Sequence, residues 1–319
     1  MAKSKSIVTE YRNYYLSPSF PVILLSGDHW KISDLPSPRL HFHNCLEIGI
    51  VHSGSGTLKF YEQSLNFKAG DVTIIPRNVS HTTYSSPGTE SHWSYLFLDI
   101  KELFRNFSHS TFKNYDLSMY ALKGYKHILS KDEHPAIYYL VMCIIEELFE
   151  QKVGYQPSVQ GLLLSLYIKL CRIQSIQNTS LKETEKYKTP DNALVIAPAL
   201  DYIEDHYMKP LHIDELSDLC HWSPTHFRRI FNEIIGTSPL NFINNTRVIK
   251  SCNLLHNTQE SILNISELVG FHSVSSYNRC FSKIMGMSPR DYRKQNIQTY
   301  INEKHPAILE YAGWMFPEK

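Results

Sequence analysis

The chain has 319 residues, 42% hydrophobic and 20% charged, and its 32 basic and 31 acidic side chains leave a formal net charge of +1. That composition excludes disordered, collagen-like and disulfide-dense classes, while the length exceeds what one core usually organises and predicts two domains. The longest apolar run, residues 137–145, is about half of what a spanning helix needs, no signal-like run opens the chain, and the six cysteines lack C-x-x-C spacing, so a cytoplasmic protein with reduced thiols and no membrane partner is expected.

Residues 40–99 read as short strands. Leu58 and Phe60 alternate with Lys59 and Tyr61, Leu65 pairs with Phe67 and Val72 with Ile74, and Gly54-Ser55-Gly56, Ala69-Gly70-Asp71 and Ser86-Pro87-Gly88 interrupt them. Strands at this spacing predict a sandwich or barrel. Inside the stretch lie His41-x-His43-x-x-x-Glu47 and, later, His81. His41 and His43 share a strand face, and Glu47 joins them only if the strand continues past Asn44 in register. Tyr61, Trp93 and Tyr95 offer faces for stacking a sugar, although aromatic residues at strand spacing also fill cores. From residue 135 the period changes, and 137–149 and 162–173 carry dense apolar residues among Glu146, Glu147, Glu150 and Lys169. Such amphipathic helices cover a barrel or form a dimer seam. Residues 176–192 are polar and charged and read as a linker.

Beyond the linker the sequence repeats itself at an offset of 50, with Ser223-Pro224-Thr225-His226-Phe227-Arg228-Arg229-Ile230-Phe231 above Ser273-Val274-Ser275-Ser276-Tyr277-Asn278-Arg279-Cys280-Phe281, and Gly236-Thr237-Ser238-Pro239 above Gly286-Met287-Ser288-Pro289. Each copy opens on a Ser suited to N-capping and closes on a Gly suited to a left-handed C-terminal residue, so each is one short helix. Phe227, Ile230, Phe231, Ile234 and Ile235 fall on one face of the first, and Thr225, Arg228, Arg229 and Asn232 on another; in the second, Tyr277, Cys280, Phe281, Ile284 and Met285 oppose Ser275, Asn278, Arg279 and Ser282. Arg reads guanine, Asn reads adenine and Ser or Thr bonds phosphate or base edges, which is what a major-groove helix requires. A short apolar helix precedes each copy, at 213–219 and 262–269, giving two helix-turn-helix units joined by a helix over 239–255. Residues 195–220 carry one lysine against six acids, and 221–294 carry nine positive side chains against four negative. That polarity can orient an approach to DNA.

Through these copies, and through Gly270-Phe271-x-Ser273-x-Ser275-Ser276-Tyr277-x-Arg279-x-Phe281, residues 193–295 resemble the DNA-binding domain of AraC-type transcription regulators. Ser217, Ser266 and Ser251 replace small Ala residues usual there, and His221-Trp222 stands where a Gly-containing turn is common, so the first turn is expected to differ. Residues 36–100 resemble the cupin barrel, with Leu35, Asn78 and Ser85 departing from its pattern. The resemblance implies an α+β protein of two domains: a cupin-like barrel with accessory helices over 1–175, which binds an effector and dimerises, and an all-α domain of two helix-turn-helix units over 193–295, followed by a tail over 296–319.

On this reading the chain is a DNA-binding regulator and not an enzyme. It binds double-stranded DNA through the eight outward residues named above, acts as a homodimer, and meets RNA polymerase if it is an activator. Its barrel senses a small polar effector, a carbohydrate by expectation, at His41, His43, Glu47, His81, Tyr61 and Trp93. No cofactor is required, but His41, His43, Glu47 and His81 match the positions that hold one divalent ion in metal-binding cupins. A segment from Tyr11 to Phe20 is expected to fold over the barrel as an arm. The competing expectations are a metal-dependent cupin enzyme, or a metal or pH sensor, fused to a DNA-binding domain.

Overall fold

Strands buried on both faces, over 46–51, 72–75 and 93–98, form the centre of the first unit. The computed structural model describes residues 8–14, 16–17, 20–37, 39–60, 63–104, 126–178 and 192–294. Two compact units divide them, one holding 8–14, 16 and 20–178 and the other 17 and 192–294. In the first, β1 (Val8–Arg12), β2 (Val22–Leu25) and β3 (Lys31–Ile32) precede β4 (Arg39–His43), β5 (Leu46–Ser53), β6 (Ser55–Phe60), β7 (Ser64–Lys68), β8 (Val72–Ile75), β9 (His81–Ser85) and β10 (Ser91–Leu98). The short helix α1 (Ile100–Leu103), β11 (Ile128–Leu129) and the long helices α2 (Pro135–Glu150) and α3 (Tyr155–Asn178) complete it. One sheet runs β1-β4-β9-β6-β7 and the other β11-β8-β5-β10-β2, with β3 also on β10.

The near-continuous apolar runs of β5, β8 and β10 follow from this layering. Ile48, Ile50, Val72, Ile74, Leu96 and Leu98 face α2 and α3, where they pack on Ile137, Val141, Ile144, Val159, Leu163 and Leu170. Val51, Ile75, Trp93, Tyr95 and Phe97 face the other way, into the barrel with Leu58, Phe60 and Phe67. Each such side chain contributes about 1.5–3 kcal/mol when fully buried, so the apolar faces of the two helices are used to cover the sheet.

Several expectations shift. Strand content begins well before residue 40, because β1, β2 and β3 each borrow a partner strand from distant sequence. The helix α3 runs through Asn178, so it continues past residue 176, where the linker was expected to begin. Residues 179–191 and the tail over 296–319 lie outside the described residues. Asn78 takes a left-handed φ of 64° where the barrel pattern has Gly, a conformation that Asn tolerates better than most residues.

The second unit is seven helices: α4 (Asn192–His206), α5 (Ile213–Leu219), α6 (Pro224–Ile235), α7 (Pro239–Asn257), α8 (Ile262–Leu268), α9 (Val274–Met285) and α10 (Pro289–Lys294). The duplicated caps form: Ser223 accepts from the His226 N–H and Ser273 from that of Ser276, while Gly236 and Gly286 close the helices at φ 76° and 71°. Phe227, Phe231 and Ile234 are buried on α6, and Tyr277, Phe281 and Met285 on α9. The three Ser residues in place of Ala bond back to their own helices, Ser217 to the Asp214 carbonyl, Ser266 to that of Leu263 and Ser251 to that of Val248.

The first turn does differ, being one residue shorter: four residues separate Leu219 from Pro224, against five between Leu268 and Val274, while the left-handed step is shared. His221 adopts φ 56°, the place Gly270 holds at 90°, and the bonds from Trp222 N–H to the Ser217 carbonyl and from Phe271 N–H to that of Ser266 correspond. The left-handed step is kept at the cost of a strained His, and the second turn then spends one more residue, His272, before its cap.

Candidate effector site and nucleic-acid interface

Four polar side chains meet inside the barrel. His41 pairs with His81 across β4 and β9, and the two rings stand 4.2 Å apart. Glu47 does not join by strand continuation: β4 ends at His43, the chain bends at Asn44 and Cys45, and β5 belongs to the other sheet. Between Phe97 and Ile75 on β5's neighbours, Glu47 reaches the histidines from across the barrel, with Oε2 at 3.2 Å from His43 Nε2 and 3.5 Å from His81 Nε2. Donor atoms of His41, Glu47 and His81 all lie within 4.8 Å of one another, so three of the four expected ligands are gathered and His43 stands beside them on the shared carboxylate.

The far side of each ring fixes its tautomer. His43 Nδ1–H donates to the Cys45 carbonyl at 2.8 Å and His81 Nδ1–H to that of Val79 at 3.0 Å. Each Nε2 therefore turns toward Glu47 either as a bare lone pair or as the second N–H of an imidazolium. Burial, partly opposed by Glu47, holds His43 below its ordinary pKa, and burial with the Arg12 charge and the neighbouring imidazoles does the same to His41. Burial pushes the Glu47 carboxyl up, but the charges and hydrogen bonds of His81 and His43 outweigh it and bring it to about 2. An ionised carboxylate thus faces the His43 imidazole, which burial keeps from protonating, an arrangement a cation resolves.

On the helical unit the expected DNA-facing residues are all solvent-exposed: Thr225, Arg228, Arg229 and Asn232 on α6, and Ser275, Asn278, Arg279 and Ser282 on α9. Arg229 bonds Glu233 at 3.2 Å, whereas the repeat gives Arg279 a lysine, Lys283, at the matching position. The charge excess counted along the sequence overstates what faces outward. Arg247 and Arg293 donate to main-chain carbonyls and Lys250 pairs with Glu204, so these three cations are committed internally.

Residues 33–167 match the AraC-like ligand binding domain, and residues 216–295 match a helix-turn-helix domain family. The multiple antibiotic resistance protein MarA of Escherichia coli is 30% identical over 115 residues, which are 36% of this chain and 91% of MarA. The chain belongs to the AraC-type transcription regulators. An uncharacterized HTH-type transcriptional regulator of Haemophilus influenzae is 28% identical over 262 residues, 77% of this chain and 85% of that protein. Among solved structures, an AraC-type DNA-binding domain from Chromobacterium violaceum is 25% identical, covers 32% of this chain and 90% of its own, and superposes with a TM-score of 0.31.

In this AraC-type regulator some residues near the barrel cluster carried no sequence signal. His127 is buried, donates Nδ1–H to the Ile74 carbonyl at 3.0 Å and lies 4.4 Å from the Phe60 ring; burial, opposed by that bond and aided by His81, lowers its pKa to about 4. Arg12 is in register with His43 on the parallel pair β1 and β4, so the arm puts a nine-tenths buried guanidinium on the side of the cluster. The Asn44 amide fixes that arm by accepting from Tyr14 N–H at 2.9 Å and donating to the Tyr14 carbonyl at 3.0 Å, while the Tyr14 ring stacks on Phe97 at 4.1 Å. Trp93 is buried in ring contact with Phe67 and a parallel Tyr95, with its N–H donated to Ser91. Tyr61 lies outside the described residues.

Proposed function

We propose that the inner cluster is a metal-centred sensing site, in which His41, Glu47 and His81, with His43 beside them, hold one divalent transition-metal ion that anchors a small polar effector. Effector binding then changes how the helical unit meets DNA. The observation that carries this reading is the approach of two Nε2 atoms to one Glu47 oxygen while both Nδ1 atoms are committed to carbonyls. Imidazole and carboxylate suit Zn, Fe, Mn or Ni, and two His with one carboxylate leave open positions where an ion offers Lewis acidity to a ligand. The carbohydrate expectation draws less support, because Trp93 is 1% exposed, in ring contact with Phe67 and Tyr95, and its N–H is used.

Coupling requires the effector to favour one arrangement of the protein over another, since equal affinity shifts nothing. Exposed Tyr139 and Phe149 on α2 support dimerisation through the helices over 136–175, and contact with RNA polymerase follows if the regulator is an activator. The test is elemental analysis of the purified full chain beside Glu47→Gln and His81→Ala, paired with gel shifts at fixed salt with and without chelator. One ion per chain, lost in both variants, with DNA affinity altered by chelation, is the expected result. Metal-free protein whose melting temperature ignores Zn, Ni, Fe and Mn overturns the reading.

A further inference from the structure

The arginine of α7 that faces inward sits where three parts of the helical unit meet. Arg247 is 7% exposed, and its Nε donates to the Tyr207 carbonyl at 2.8 Å and its Nη2 to the Lys209 carbonyl at 2.9 Å. These carbonyls follow the last turn of α4, where the helix dipole leaves negative charge and orphan acceptors. The same guanidinium lies 5.7 Å from the Phe271 ring, in the turn between α8 and α9. One residue earlier Gly270 presses on the same place: a Cβ there would lie 2.7 Å from the Tyr207 oxygen and 2.8 Å from that of Met208.

The end of α4, a helix that packs against both helices of the first helix-turn-helix unit, is thus held between the connecting helix and the turn of the second. The device is duplicated. Arg293 on α10 donates Nε to the Leu255 carbonyl at 3.3 Å and Nη2 to the Glu260 carbonyl at 2.6 Å, at the end of α7. Each unit is closed by an arginine from the helix after its DNA-facing helix, but only Arg247 lies where the two units join.

We infer that Arg247 is a positioning residue for two-site DNA recognition, fixing the separation and phase of α6 and α9 while remaining buried. Two rigidly phased helices accept one spacing of their DNA segments, because both must enter the groove from the same side. Released from the clamp, they bind as two tethered modules and tolerate other spacings.

The experiment uses the full chain, a duplex selected from a random pool by the wild-type protein, and the same duplex with two base pairs inserted between the contacted segments, a rotation of about 70°. The wild type loses about 100-fold in affinity on insertion, the gain that simultaneous engagement supplies. For Arg247→Ala the insertion penalty falls below about 5-fold, with Arg247→Lys between the two and helix content by circular dichroism unchanged. Wild-type penalties in both variants overturn the inference. So does a folded Arg247→Ala chain that loses both duplexes alike. Should the alanine variant not fold, Arg247→Lys decides: a reduced penalty supports the clamp and an unchanged one refutes it.

Discussion

Replacing Gly270 with Ala should unfold the helical unit early. Gly270 stands at φ +90°, and the added methyl would meet the Tyr207 and Met208 carbonyl oxygens at 2.7 and 2.8 Å, both of them backbone atoms that cannot rotate aside. A left-handed L-residue costs about 1–2 kcal/mol. Displacing the Tyr207 carbonyl also strains its charged hydrogen bond from Arg247, which is worth about 1.5–3 kcal/mol. Ala returns about 0.5–1 kcal/mol by restricting the unfolded chain. The net loss is about 2–4 kcal/mol, and a unit of this size loses about 4–8 °C per kcal/mol, so the helical transition in scanning calorimetry of the full chain should fall by roughly 10–25 °C. The transition of the β-rich unit should not move. A drop under about 4 °C, equivalent to less than 1 kcal/mol, would refute the claim that this turn is held against the end of α4.

The mirror substitution, His221→Gly, should raise the same transition by about 0.5–1 kcal/mol, because it removes left-handed strain at an exposed position with no comparable crowding. Asn44→Ala removes both bonds to the Tyr14 backbone and should cost about 1–3 kcal/mol, read as faster proteolytic cleavage of residues 8–14. His127, held to about 4 when folded against an ordinary 6.5, is protonated first in the unfolded chain, so stability is present above pH 6.5 and lost as pH falls toward 4. About 2 kcal/mol of that loss falls between pH 7.5 and 5, and urea titrations at those two values should show it shrink in His127→Gln. Arg229→Ala with Arg279→Ala should weaken binding to a selected duplex by about 2–6 kcal/mol if both read bases; unchanged affinity at moderate salt would remove them from the interface.

Periodicity and repetition made much of this regulator legible. The offset of 50 announced two equal helices, and their Ser and Gly termini formed the caps expected of them, because capping is decided within a few residues. The four barrel residues were likewise visible by type and spacing, yet the expected route for Glu47, along one strand, was wrong: the chain changes sheets at Asn44 and Cys45, and the carboxylate arrives from the opposite wall. His127 and Arg12 had no motif to mark them, since a buried partner from a distant segment leaves no local pattern.

What the sequence determined alone was whatever depends on neighbours along the chain: strand and helix periods, caps, and which helix face is polar. What only the tertiary structure decided was the fate of each charge. Arg247 and Arg293 counted toward the positive excess of 221–294 until the fold laid carbonyl oxygens across them, whereas Arg228 and Arg279 stayed in solvent. A charge acts through whatever surrounds it in space, and that environment is assembled from segments that are far apart in the sequence.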